Sequence, residues 1–117
     1  MQVSDLTNYG FDVASAMELC IDDEEIYKEV LEAFLEEGRE KIPLFNELIA
    51  NNDTDRYIIE VHGLKNAAKQ VGATKLSDEA KDSELSGKEG KLDYIKEKNP
   101  MLVNLYQETL DVIAQLF

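Results

Sequence analysis

Apolar positions along the chain recur at spacings of three and four, and no sustained alternation of apolar and polar residues appears. The pattern predicts helices throughout. A short opening helix runs from about Asp12 to Cys20, led by Phe11. Asp22 reads as the N-cap of the next helix, with Glu25 in the N3 place of a capping box. Ile26, Val30, Ala33 and Phe34 continue one apolar face, and Tyr27, Leu31 and Leu35 widen it toward a second neighbour. Gly38 marks a break or a tight contact. Ile42, Phe45, Leu48 and Ile49 then mark a further helix, with Pro43 in its first turn. The run Asn51, Asn52, Asp53 ends it and caps a long helix over residues 54–71, which Gly72 closes.

A fourth helix is predicted over about 75–86, with Leu76, Ala80 and Leu85 inward, before a loop bracketed by Gly87 and Gly90. Leu92, Tyr94 and Ile95 add a turn or two. Asn99 followed by Pro100 reads as a restart, a cap and then proline at the first helical position. A terminal helix carries Leu102, Leu105, Tyr106, Thr109, Leu110, Ile113 and Leu116 or Phe117. The expected fold is all-α: an antiparallel four-helix bundle with an additional short N-terminal helix, one domain over residues 1–117.

Composition narrows the chemistry. The 117 residues include 25 acidic and 12 basic side chains, a net charge of −13. Such a chain repels nucleic acid and anionic lipid, so neither is an expected partner. No run approaches the ~18 apolar residues of a membrane span, and residues 1–8 lack a signal-peptide pattern. The expected location is the cytoplasm. Cys20 is alone between Leu19 and Ile21, so it is expected to fill a small apolar site. Asp22 to Glu25 lack the spacing of a calcium loop. One histidine and one distant cysteine make no metal set, and no glycine-rich phosphate loop occurs. Hence no cofactor and no metal are expected on this chain, and no autonomous ATP-dependent kinase activity.

The charge is uneven. Residues 1–55 hold 15 acids and 3 bases, whereas residues 56–81 hold 5 bases and 3 acids. From Val61 through Ser77 there is no acid, and Lys65, Lys69 and Lys75 all fall there beside the only histidine, His62. Tyr57, Val61, Leu64, Ala68 and Val71 form the inward stripe of that helix. His62 lies about 100° round from Val61, at the solvent border. Lys65 is one turn on and Lys69 two turns on. A neutral imidazole can attack phosphorus without an added base, and the dianionic product needs nearby cations. Lysines at an exposed site contribute only about 0.2–1 kcal/mol each, which suits a group that must be given away again. Gly63 and Ala73 keep the ground around the ring low enough for a partner to close over it.

The stretch VHGLKNAAKQVGATKLSDEAKDSE, residues 61–84, resembles the histidine-containing phosphotransfer (HPt) domains of multistep two-component phosphorelays. His62, Leu64, Lys65, Gly72 and Ala73 agree with the family's H-x-L-K-G-x-x-x-x-x-G-A. The run EEIYKEVLEAFLEEGREKIPLFNELI, residues 24–49, is similar to the two helices that precede the motif. The resemblance implies His62 as phosphoacceptor and Lys65 as the neutraliser of phosphoryl charge; Lys69, by its spacing two turns on, is expected to add secondary electrostatic support. Glu84 stands where many members place a glutamate, which in some of them orients the histidine, although Ser83 replaces the leucine expected before it. Asn66 is the largest departure, since a small residue is usual there; it is expected to crowd or hydrogen-bond a docking partner. The implied partner is a receiver domain of a response regulator or hybrid histidine kinase, with the divalent cation on the receiver. The chain would accept a phosphoryl group from one receiver's aspartate and pass it to another, working as a monomer. The competing expectation is a non-catalytic helical adaptor in which His62 is an ordinary surface residue.

Overall fold

The computed structural model describes residues 1–117. After a 3-10 turn over Val3–Tyr9 come five helices: α1 Val13–Leu19, α2 Glu24–Ala50, α3 Thr54–Gln70, α4 Thr74–Lys88 and α5 Leu92–Ala114. Helices α2 to α5 form the bundle, with α3 against α4, α2 against α5, and α4–α5 and α2–α3 completing the ring. At a rise of about 1.5 Å per residue, α2 is long enough to set the 40 Å axis of the molecule. No helix is long and apolar enough to cross a membrane.

The core follows the inward stripes. Tyr27, Leu31, Phe34, Phe45 and Leu48 of α2 meet Tyr57, Val61 and Leu64 of α3 and Leu102, Tyr106 and Leu110 of α5, all buried. Phe45 packs edge-on to Tyr57 at 5.7 Å between ring centres and also meets Tyr106. Tyr27 donates its hydroxyl to the Val71 carbonyl at 2.7 Å and so ties the start of α2 to the end of α3. Cys20 is buried and unpaired with any other cysteine.

Several helix boundaries differ from the sequence expectation, each for a local reason. Asp23 caps α2, accepting from the amides of Glu25 and Ile26. Asp22 lies in the left-handed region at φ 56°, so the box with Glu25 does not form. The two helices expected around Pro43 are one. Proline removes one donor, but Phe45 and Leu48 are buried beyond it and Leu35 before it, so packing carries the helix through. Gly38 is the tight contact rather than the break. A Cβ there would meet the Leu110 methyls at 2.6 and 2.7 Å, so α2 and α5 approach closely at this residue.

Pro100 likewise lies inside α5. Asn99 is not a cap: its side chain accepts from the Tyr57 hydroxyl and donates to Asn46, holding α5 to α3 and α2. Leu85 faces solvent, 48% exposed. Gly87 belongs to α4 and not to a loop, and lies against Ile58 and Ile95.

Candidate functional site

The site is built on the α3–α4 hairpin. Asp53 caps α3 through the Arg56 amide. At the other end Gly72 takes φ 83°, and its carbonyl accepts from the Asp12 amide at 2.8 Å. A Cβ on Gly72 would stand 2.6 Å from the Asp12 carbonyl oxygen, so neither the backbone angle nor the space admits another residue. The Ser77 hydroxyl donates to the Lys65 carbonyl at 2.8 Å. These ties fix the register of the two antiparallel helices and bring Glu84 opposite His62.

The side chain of His62 is 53% exposed, whereas that of Glu84 is only 3% exposed. The Nδ1 of His62 hydrogen-bonds to Glu84 Oε2. Lys65 Nζ donates to the other carboxylate oxygen at 2.6 Å. Lys88 approaches Oε2 at 3.6 Å. Burial alone would raise the Glu84 pKa, but the hydrogen bonds from Lys65 and His62, with their charges, outweigh it and hold the carboxyl below its ordinary value. An ionised carboxylate only accepts, so Nδ1 carries the proton of the neutral ring and Nε2 keeps a lone pair. On that outer side the Asn66 amide lies 3.3 Å from Nε2.

The sequence-predicted residues divide accordingly. His62, Lys65 and Glu84 come together. Lys69 remains exposed and stands apart from Glu84, lining a polar groove of about 470 Å³ with Lys65, Asn66, Lys81, Asp12 and Asp78. Gly63 is open: an added Cβ would meet nothing within 4 Å. Asn66 contacts the histidine itself, a pairing absent from the sequence reading. Ala73 is buried, 6% exposed, so it does not belong to the surface around His62. Its place directly before α4 turns it into the core. Lys88 was missed, although its spacing of four from Glu84 is the pattern that joins opposite charges on a helix. The Ser83 hydroxyl beside Glu84 is buried without a hydrogen-bond partner. No three His, Cys, Asp or Glu side chains converge as a metal-binding group.

The fold and site together define an all-α bundle with one half-exposed histidine held against a buried carboxylate and flanked by lysines. Residues 29–115, most of the chain, match the family model described as Hpt domain. The chain belongs to that family, the histidine-containing phosphotransfer domains, and its role lies in phosphorelay signalling. Comparison with curated proteins gave no match, and comparison with solved structures gave none.

Proposed function

We propose that His62 carries the phosphoryl group, taking it on Nε2 from the aspartyl phosphate of a receiver domain and passing it to the aspartate of another. The observation that carries this reading is the hydrogen bond between His62 Nδ1 and the buried Glu84 carboxylate, which leaves the lone pair on Nε2 of a half-exposed ring. In the forward step the Nε2 lone pair forms the N–P bond as the carboxylate O–P bond breaks, and the aspartate leaves with the electron pair. The ring keeps its Nδ1 proton and becomes cationic, and Glu84 stabilises that charge. Lys65, already on Glu84 Oε1, lies one turn from His62 and offsets the arriving phosphoryl charge. The reverse step returns the lone pair to Nε2. The receiver supplies the divalent cation and the acidic pocket; this chain supplies nucleophile, orientation and docking face, in the cytoplasm and as a monomer.

The test is incubation with a panel of phosphorylated receivers. Label that moves to this chain, is lost in acid and survives base supports phosphohistidine. Failure of every receiver to label a folded protein would favour the adaptor reading instead.

A further inference from the structure

We infer that Asn66 is a positioning residue that acts as a brake: its amide occupies the phosphoacceptor lone pair of His62 in the resting protein and must release it before phosphoryl transfer. The inference rests on the carrier reading and deepens it. Nε2 has one lone pair in the tautomer set by Glu84, and Asn66 Nδ2 lies 3.3 Å from it. A lone pair cannot accept from Asn66 and bond to phosphorus at once. Only the Nδ2–H end of the amide can face this nitrogen, because the carbonyl end would set two acceptors against each other.

The placement has no structural need. Asn66 is exposed and sits mid-helix on α3, where asparagine is a poorer helix former than alanine. It has no other side-chain partner: Glu84, Lys65 and Lys88 form their own cluster around Nδ1. Gly63 beside the ring adds no bulk, so Asn66 is the side chain that covers the reactive nitrogen. The contact stabilises the unphosphorylated form and is lost when the N–P bond forms. It therefore slows uptake and favours donation, a bias suited to passing the group on rather than storing it.

The experiment uses the full chain and two readouts. The first is the ring 15N spectrum of His62 at a pH where the ring is neutral. In wild type, the pyridine-type nitrogen is Nε2, shifted by an accepted hydrogen bond. In both N66A and N66L it moves to higher frequency, toward a free pyridine-type nitrogen. The second is phosphohistidine formation from phosphoramidate, in which Nε2 displaces ammonia from phosphorus. Uptake rises about threefold in N66A, the size of one modest exposed hydrogen bond. N66L keeps the bulk without the N–H and separates hydrogen bonding from simple cover. A rise in N66A alone, with no change of the Nε2 resonance in either variant, overturns the hydrogen-bond brake. So does a labelled wild type whose uptake rate equals that of N66A. A wild type that phosphoramidate does not label overturns the carrier reading itself, and the 15N arm then tests the Asn66 contact independently.

Discussion

Helix α4 carries two charged clusters that are opposites in construction. Toward α3 it buries an acid, Glu84, beneath half-exposed His62 and the lysines Lys65 and Lys88. Toward α5 it meets a buried base: Lys98, with a side chain 6% exposed, donates to the Glu79 carbonyl at 2.9 Å and pairs with the Glu79 and Asp82 carboxylates. The Tyr94 hydroxyl closes the second cluster by donating to Asp82. An ammonium has three donors, and Lys98 has three oxygen partners around it. Nothing is left over for a ligand. In the first cluster the buried group is a carboxylate with capacity for several donors, and one of its partners has a second nitrogen that points outward. One cluster therefore holds helices together, whereas the other holds helices and leaves one ring nitrogen of His62 outside the carboxylate contact.

This contrast is broken most directly by exchanging damage between the clusters. E84A lowers phosphoryl uptake by roughly tenfold, through loss of ring orientation, while the helical spectrum is retained. K98M destabilises the fold by about 1–3 kcal/mol in urea melts and leaves uptake per folded molecule unchanged. A K98M protein that folds but cannot be labelled would show that the second cluster also serves the chemistry.

A smaller effect separates the lysines. K65A slows single-turnover transfer several-fold, whereas K69A changes it by less than about twofold, as expected for an exposed charge a turn farther away. The reversed order would count against the Lys65–Glu84 arrangement as the electrostatic partner of His62.

The smallest effect is on pH dependence. Glu84 is held below its ordinary value by Lys65 and His62 against the cost of burial. Its contribution to stability is present above the unfolded carboxylate value and fades as pH falls through the lower folded one. Lys98 is raised: burial works against its charge, but Asp82 and Glu79 prevail. Its contribution is present below the unfolded lysine value and fades as pH rises through the higher folded one. Urea melts across pH should thus lose acid-side slope in E84Q and alkaline-side slope in K98M. Slopes unchanged in both would remove the electrostatic distinction.

How far these features can be read from sequence depends on whether they are local. The 54–71 helix, its Asp53 cap and its Gly72 stop were legible because cap, stripe and left-handed glycine each act within a few residues. His62 at the edge of the stripe was legible for the same reason. Pro43 and Pro100 misled because buried residues on both sides of each keep the helix whole, which no local signal reports. Asn99 has the composition of a cap, yet its amide is used by Tyr57 and Asn46, 42 and 53 positions away. Ala73 followed the helical period beyond the point where Gly72 turns the chain, so its predicted direction no longer applied. Glu84 could be placed beside His62 only by resemblance, because the α3–α4 register depends on turn geometry and on the Ser77–Lys65 bond. The Asn66–His62 pair stood at the ordinary i,i+4 spacing, but its meaning appears only once the ring's other nitrogen is known to be taken.

The central claim is that the phosphoryl group resides on the outward nitrogen of His62. A through-bond 15N–31P correlation on the phosphorylated, ring-labelled protein reads that bond directly. The account predicts one coupling, from phosphorus to Nε2, with Nδ1 still protonated against Glu84. Coupling to Nδ1, or a phosphorus signal with no histidine nitrogen attached, would contradict it.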